Sequence, residues 1–144
     1  MSNILDIMKI LESNRQRGFL MNTNNLTEDI VEKIAKVAHE VNRAYCVAIY
    51  DNSKAPWEQT PELLRNSTKS GIRHLAKNPD INPQQAHEEW LAYKVKEGWI
   101  YGRVIDNENK KHPCLVPYNE LSQADKVKDN LFRAIVKNLL ELHL

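Results

Sequence analysis

Residues 86–121 read AHEEWLAYKVKEGWIYGRVIDNENKKHPCLVPYNEL and divide into a helical half and an irregular half. Just upstream, Asn82 and Pro83 form a helix start, because an asparagine side chain accepts free N–H groups and proline suits the first helical position. Gly98 is a typical helix stop. Beyond it, two short apolar pieces flank a polar turn at 106–110, which predicts a small hairpin-like excursion. Prolines in the second piece exclude a central sheet strand.

Amphipathic helices are predicted on both sides of this stretch. One runs from about residue 27 to 49 and begins at Asn25 or Thr27. Another begins at Thr60, and the last begins at Ser122. The expected core stripes are Ile30, Ile34, Val37, Ala38, Val41, Tyr45 and Ala48 in the first of these helices and Leu131, Ala134, Ile135, Leu139 and Leu142 in the last.

These elements predict a mainly α fold, a compact domain of four to five helices with one short β-hairpin-like excursion. Residues 1–24 are predicted to form an N-terminal amphipathic helix, over about 3–16, and a polar linker. Residues 25–144 are predicted to form the main domain. The N-terminal helix either packs on the core or makes a subunit contact, and the sequence favours neither by much.

The composition is that of an ordinary globular protein and limits its partners. The chain has 144 residues, of which 20 are basic and 19 acidic, so the net charge is +1. A protein that coats DNA or RNA normally carries a clear basic excess, so that function is disfavoured. No apolar stretch is long enough to cross a bilayer. Cys46 and Cys114 indicate reduced thiols, and we expect a cytoplasmic protein, or one in the host cytoplasm if a phage encodes it.

The motifs of common enzymes are absent from the sequence. There is no Gly-rich phosphate loop, no Gly-x-Ser-x-Gly elbow and no His-Glu-x-x-His metal motif. A Cys114 nucleophile with His112 as its base would have poor geometry, because the two are neighbours across a proline. We therefore expect no catalytic residues, no metal site and no cofactor. An enzyme acting on nucleotides would need histidines and carboxylates to converge, which nothing in their spacing requires.

The aromatic residues and nearby cations are the more informative feature. Aromatic faces stack on bases and cations meet phosphates, so such a set predicts a site for a nucleotide-like ligand. The candidate ligand-binding residues are Trp90, Trp57, Tyr101, Trp99, Asn42, Arg43, Arg103, Lys111 and His112. The alternative is that the tryptophans fill the core and bond their N–H groups internally. Composition alone favours this alternative.

The core motif, residues 86–140, closely resembles the RyR domain, the repeat of ryanodine receptor calcium channels. That family shows a His-x-x-Trp helix, a Gly-Trp-x-Tyr-Gly turn, an acidic turn, and His-Pro-x-Leu-Val-Pro-Tyr before a further helix. The matching residues are His87, Trp90, Gly98, Trp99, Tyr101, Gly102, Asp106, Lys111, His112, Pro113, Leu115, Val116, Pro117 and Tyr118. Upstream similarity to small stand-alone RyR-domain proteins of bacteria and phages extends the resemblance to about residues 27–140.

The resemblance implies a mainly helical domain with no known catalytic activity. In the channels the repeats occur in pairs, and adenine nucleotides can bind in the cleft of a pair. The resemblance gives Trp90 the role of stacking the base. Because this chain holds one repeat, a comparable cleft would need either its upstream helices, with Trp57 and Asn42, or a second subunit.

Two functions are compatible with these observations. The first is a non-catalytic binding module for a nucleotide-derived signal, such as an adenine nucleotide, an ADP-ribose-type molecule or a cyclic nucleotide. The resemblance places such a module in conflicts between bacteria and phages, as a sensor or a sequestering protein. The alternative is a protein-interaction or structural module with no small-molecule ligand, in which Trp57 and the N-terminal helix form a partner patch. A homo-oligomer is compatible with both functions, and we expect no membrane partner.

Overall fold

The computed structural model describes residues 23–144, and the helix predicted over residues 3–16 lies outside them. The described residues form four α-helices and one two-stranded sheet, so the mainly α class is confirmed. In chain order the elements are α1 (Glu28–Ala48), α2 (Glu62–Lys77), α3 (Pro83–Lys96), β1 (Ile100–Tyr101), β2 (Lys111–His112) and α4 (Gln123–His143), with short 3₁₀ turns at Thr23–Asn25, Trp57–Gln59 and Tyr118–Glu120.

The chain divides into two compact units. The first contains the described residues up to Asp80 together with Leu131–Leu144, and the second contains Ile81–Asn130. No helix among residues 23–144 is both long enough and apolar enough to cross a membrane.

Helix α1 begins where its local chemistry predicts. Thr27 is the N-cap, and its Oγ1 accepts a hydrogen bond from the Ile30 N–H at 3.3 Å. Glu28 and Asp29 occupy the first turn, where a carboxylate is stabilised by the exposed N–H groups. The helix ends at Ala48, so the predicted bounds are confirmed to within a residue or two.

The buried face of α1 is rotated from the predicted stripe. Ile34 and Ala38 are buried as predicted, but Val37 is 44% exposed. The remaining buried residues of this helix are Val31, Ala35, Asn42 and Cys46. The buried face therefore includes the small or polar residues Ala35, Asn42 and Cys46. The prediction missed them because it followed the large apolar residues of the helix.

Helix α2 packs closely against its neighbours in the first unit. A Cβ built on Gly71 would lie 3.3 Å from Cζ of Phe132, a residue of α4 in the same unit. The absence of a side chain at Gly71 therefore lets α4 approach α2 closely. On the other side, Lys69 binds the carboxylates of Glu28 at 3.0 Å and Glu32 at 2.6 Å, which joins α2 to α1.

Helix α4 begins as predicted and buries a different stripe. Ser122 Oγ accepts from the Asp125 N–H at 3.1 Å, which caps the helix, and donates to the Asp125 carboxylate at 2.8 Å. Val136 and Leu140 are the buried residues of the helix. The predicted core positions Ala134 and Leu142 are exposed, and that part of the predicted stripe is wrong.

Helix α3 has both of its predicted ends. The Asn82 side chain accepts from the Gln85 N–H at 2.7 Å, and Pro83 is the first helical residue. Gly98 has φ +88°, a conformation that glycine adopts without steric cost. This turn lets the Trp99 N–H bond back to the Lys94 carbonyl at 2.9 Å. This bond fixes the backbone of Trp99 against the last turn of the helix.

The two strands pair in parallel, which differs from the predicted hairpin. Ile100 lies opposite Lys111 and Tyr101 opposite His112, with both strands running the same way. The polar turn lies where it was predicted, and it is closed by a single antiparallel bridge between Asp106 and Lys111. The segment before the turn therefore reaches one side of β2, and β1 pairs with the other side.

Candidate functional site

Five aromatic rings of the second unit are linked in a chain by four ring–ring contacts. Trp90 is central, with ring centroids 5.5 Å from His87 and 5.3 Å from His112. Trp99 lies 6.4 Å from His112, and Tyr118 lies 6.1 Å from His87. We call His87, Trp90, Trp99, His112 and Tyr118 the aromatic cluster. Such spacings and tilted rings are those of interacting aromatic side chains.

Helix α3 places His87 and Trp90 on one face, because residues three apart are neighbours on a helix surface. His87 is buried, and its Nε2 lies 2.6 Å from the Val116 carbonyl oxygen. Since a carbonyl only accepts, the proton is on Nε2. This bond anchors the His-x-x-Trp turn to the loop after β2, and Trp90 is held next to it, half-buried.

Strand β2 supplies the third ring in a fixed orientation. His112 Nδ1 accepts a hydrogen bond from the Cys114 N–H at 3.0 Å. Nδ1 is therefore unprotonated, and the neutral ring carries its proton on Nε2. His112 presents its edge to Trp90, with an interplanar angle of 73°.

Two lysines lie over faces of the cluster. Lys94 Nζ is 4.6 Å from the ring centroid of Trp99, and Lys126 Nζ is 5.0 Å from that of Tyr118. A cation within this range is attracted by the electron-rich ring face. The cluster therefore has positive charge at two points of its border.

The predicted cations and the predicted tyrosine of the second unit lie beside the strands. Tyr101 stands in register with His112, and its side chain is 55% exposed. Arg103 and Lys111 are also exposed. The side chain of Lys111 packs against Gly102, where an added Cβ would lie 2.7 Å from the Lys111 Cβ. Glycine at this position is thus required for the close approach of β1 and β2.

Trp57 is a core residue of the first unit. It is 2% exposed, and its Nε1–H donates to Glu32 at 2.7 Å. Its backbone N–H donates to Glu40 at 2.8 Å, and its ring lies 5.4 Å from that of His39. For this tryptophan the structure corresponds to the alternative interpretation, core packing with a satisfied N–H, and Trp57 is not a member of the aromatic cluster.

The other two candidates from upstream also lie in the first unit. Asn42 is buried, and its Oδ1 has no hydrogen-bond partner. The Arg43 guanidinium bonds to Glu40 at 3.1 Å, one turn earlier on the same helix. The remaining six predicted residues lie in the second unit, and three of them belong to the aromatic cluster. The structure thus brings together Trp90, Trp99 and His112.

Sequence reasoning did not assign a binding role to Tyr118 or Lys126. Tyr118 ends the His-Pro-x-Leu-Val-Pro-Tyr motif, so a signal for it was present. Lys126 had none, because it approaches Tyr118 only when the 3₁₀ turn Tyr118–Glu120 folds back before α4 begins.

The cysteine and the possible metal ligands of this region can be judged from the structure. Burial, together with the Asp125 carboxylate, raises the pKa of the Cys114 thiol to about 12, so the thiol remains protonated near neutral pH. Among residues 23–144, no group of three or more histidine, cysteine, aspartate or glutamate side chains is arranged to hold a metal ion.

Comparison with protein families assigns the region that contains this cluster. A family model described as the RyR domain matches residues 72–144, just over half of the chain. The match contains the whole aromatic cluster, both strands and α4. The resemblance carried by the motifs between residues 86 and 140 is thereby confirmed: the chain belongs to the RyR domain family.

Proposed function

We propose that this protein is a non-catalytic binding module for a nucleotide or nucleotide-derived molecule, with the base stacked on Trp90. The observation that carries the proposal is the aromatic cluster, in which Trp90 is half-buried and contacts two histidine rings. A ring that is already immobilised loses little conformational entropy when a base stacks on it.

The fixed histidines support the same role. His87 and His112 each have one ring nitrogen bonded to backbone, so neither ring can turn without breaking a hydrogen bond. Base-on-aromatic stacking contributes about 1–3 kcal/mol per base. Tyr101, exposed beside His112, is the candidate for the second face of the base.

Exposed cations near the strands supply the phosphate contacts in this proposal. Among the described residues, no ion-pair partner is found for Arg103. Lys111 is exposed and packs its stem on Gly102. A guanidinium forms paired hydrogen bonds with a phosphate, and an ammonium acts as a point charge. Stacking plus such contacts would account for micromolar affinity, which corresponds to about −8 kcal/mol.

The class of ligand and the biological setting rest on family resemblance. Adenine nucleotides, ADP-ribose-type molecules and cyclic nucleotides are the first candidates, because repeats of the related channels bind adenine nucleotides. A sensor or sequestering protein in bacteria–phage conflict would use such a module to capture a signalling molecule. This setting is part of the proposal and predicts a soluble, cytoplasmic location.

Isothermal titration calorimetry tests the proposal directly. ATP, ADP-ribose, cyclic ADP-ribose and cyclic dinucleotides are titrated into wild-type protein, Trp90→Ala and Tyr93→Ala. Tyr93 is the matched control because it lies on the same helix, is exposed and is outside the aromatic cluster. We expect one ligand to bind with micromolar affinity, at least tenfold more weakly to Trp90→Ala and unchanged to Tyr93→Ala. Flat titrations across the panel with folded protein would overturn the proposal.

A second candidate function, a protein-interaction module, is favoured by one observation. Four apolar side chains in and after β1 are more than half exposed, namely Ile100, Tyr101, Val104 and Ile105. Exposed apolar surface of this kind often marks a protein contact. If this function is the main one, none of the nucleotides gives a binding signal in calorimetry, whereas a partner protein binds these residues.

A further inference from the structure

The backbone of β1 has one edge in the sheet and one edge outside it. The Ile100 N–H bonds to the Lys110 carbonyl at 2.9 Å, and the Gly102 N–H bonds to the His112 carbonyl at 3.4 Å. Peptide groups alternate in direction along a strand, so the N–H and C=O of Tyr101 point away from β2. Among residues 23–144, no backbone partner for Tyr101 is found on that outer side.

The opposite edge of the sheet is closed. The Lys111 N–H bonds to the Asp106 carbonyl at 2.9 Å, and the Asp106 N–H bonds to the Lys111 carbonyl at 2.9 Å. The polar turn thus covers the far side of β2. Within the described part of the second unit, the outer edge of β1 is the place where this sheet can accept another strand.

The side chains at this edge are unusually apolar. Ile100, Tyr101, Val104 and Ile105 are all more than half exposed, with Val104 at 76%. Proteins normally protect an open strand edge with charges, proline or a covering element. Here β1 is protected only by its short length and by Arg103, so its apolar side chains remain available to a partner.

The charges around the edge indicate the chemistry of that partner. Between residues 94 and 111 the chain has five basic residues and three acidic ones, a local charge of five minus three, or +2. One group of each sign is bonded within this stretch: Asp106 accepts from the backbone and side-chain N–H groups of Asn109, and Lys110 Nζ donates to the Glu97 carbonyl at 2.8 Å. The balance of the remaining groups stays positive. An acidic partner is therefore favoured, whereas a second copy would bring Arg103 against the same positive surface.

From these observations we propose that the outer edge of β1 binds an extended segment of another protein, in which apolar residues alternate with acidic residues. The segment adds a strand to the sheet by bonding to the N–H and C=O of Tyr101. Its apolar side chains cover Ile100 and Val104, and its carboxylates meet Arg103. Main-chain pairing of this kind supplies affinity, and side-chain contacts supply sequence preference. The proposal does not depend on nucleotide binding.

Fluorescence anisotropy with a labelled peptide, acetyl-Glu-Val-Glu-Ile-Glu-Val-Glu-Ile-amide, tests the proposed chemistry. We expect saturable binding with a micromolar dissociation constant that weakens as salt is added. A peptide with lysine in place of every glutamate is the matched control and should bind at least tenfold more weakly. Absence of saturable binding of the acidic peptide at about 1 mM, or equal binding of the two peptides, would overturn the proposal.

Two variants separate strand addition from simple contact with the tyrosine ring. Tyr101→Pro removes the outward N–H but leaves the bonds of Ile100 and Gly102 to β2, whereas Tyr101→Thr keeps the N–H and suits a strand. We expect Tyr101→Pro to weaken peptide binding at least fivefold more than Tyr101→Thr does. Equal weakening by the two variants would overturn strand addition.

Amide exchange in the wild-type protein keeps the test decisive if Tyr101→Pro does not fold. Exchange of the Tyr101 N–H should slow on addition of the acidic peptide, because that N–H becomes bonded. Unchanged exchange at saturating peptide would contradict the proposal. A wild-type dimer that Tyr101→Pro converts to a monomer would identify a second copy as the occupant and would also overturn it.

Discussion

His87 Nε2 lies 2.6 Å from the carbonyl oxygen of Val116, and this bond joins helix α3 to the loop after β2. His87 is 6% exposed, so its ring depends on this bond to satisfy its N–H. The same helix face carries Trp90, whose ring centroid is 5.5 Å from that of His87. A buried histidine thus determines both the packing of the loop and the position of the proposed stacking surface.

Replacement of this histidine should destabilise the fold. His87→Ala leaves the partly buried Val116 carbonyl without its partner and removes a ring from the aromatic cluster, so we expect a loss of about 2–4 kcal/mol in the free energy of unfolding. Chemical denaturation followed by circular dichroism measures it. His143→Ala, at the exposed end of α4, is the control and should change stability by less than about 0.5 kcal/mol. Equal effects of the two variants would contradict this role of His87.

The contact between Gly71 and Phe132 should limit the size of the residue at position 71. A Cβ there already lies 3.3 Å from the Phe132 ring, so the larger side chain of Gly71→Leu must displace that ring or the helix. We expect Gly71→Leu to cost about 1–3 kcal/mol despite the better helix propensity of leucine. Thermal unfolding measures the change.

A double-mutant cycle checks the cause of that loss. Phe132→Ala makes room at the same place, so Gly71→Leu should cost less when combined with it than in the wild-type protein. Strictly additive effects would show that the two residues are not coupled.

The Glu32 carboxylate should make stability depend on pH. Hydrogen bonds from the Lys69 ammonium and the Trp57 indole hold the pKa of Glu32 below its ordinary value of 4.5. A carboxylate with a lowered folded-state pKa stabilises the fold fully above its unfolded pKa, and this stabilisation is lost as pH falls through the folded pKa. The stability difference between wild-type protein and Glu32→Gln should therefore shrink between about pH 7 and about pH 3.

Denaturation of both proteins across that range measures the Glu32 effect. Glu141→Gln, which changes an exposed glutamate of α4, is the control and should show a difference that stays small at every pH. A Glu32→Gln difference that is constant with pH would indicate that the carboxylate charge does not stabilise the fold.

Cys114 should react slowly with thiol reagents while the protein is folded. Burial and the Asp125 carboxylate raise the pKa of this thiol to about 12, from an ordinary value of 9.0, and only the thiolate reacts. Cys46 is fully buried. We expect little labelling by a disulfide reagent near pH 8 in the folded protein and labelling of both cysteines after denaturation. Rapid labelling of Cys114 in the folded state would contradict its raised pKa.

The same pKa predicts a loss of stability at high pH. A thiol with a raised folded-state pKa stabilises the fold below its unfolded value, and this contribution is lost as pH rises towards the folded value. Stability of the wild-type protein should therefore fall more steeply above about pH 9 than stability of Cys114→Ser, because serine at position 114 does not titrate in this range. Parallel pH profiles of the two proteins would contradict it.

Helix ends and the family motif were predictable because each depends on a few adjacent residues. The caps at Thr27, Asn82 and Ser122 are side-chain to backbone bonds across three positions, and the Gly98 stop requires a conformation that glycine favours. The His-x-x-Trp spacing likewise places His87 and Trp90 on one helix face whatever surrounds them. Local chemistry was sufficient for these features.

Packing partners were not predictable in this way, because they depend on residues distant in the chain. Trp57 is a loop tryptophan in the sequence, and only the bonds to Glu32 and Glu40 on α1 make it a core residue. The parallel direction of β1 goes with Asp106 occupying the other side of β2. The alternation of apolar and polar residues in the sequence does not predict which side of a strand a partner takes. The aromatic cluster forms when α3, β2 and the turn at Tyr118 meet, so it is a product of tertiary contacts. Its members were recognisable one by one in the sequence, but their mutual distances follow from the fold alone, because a side chain's neighbours across space are set by how the whole backbone packs.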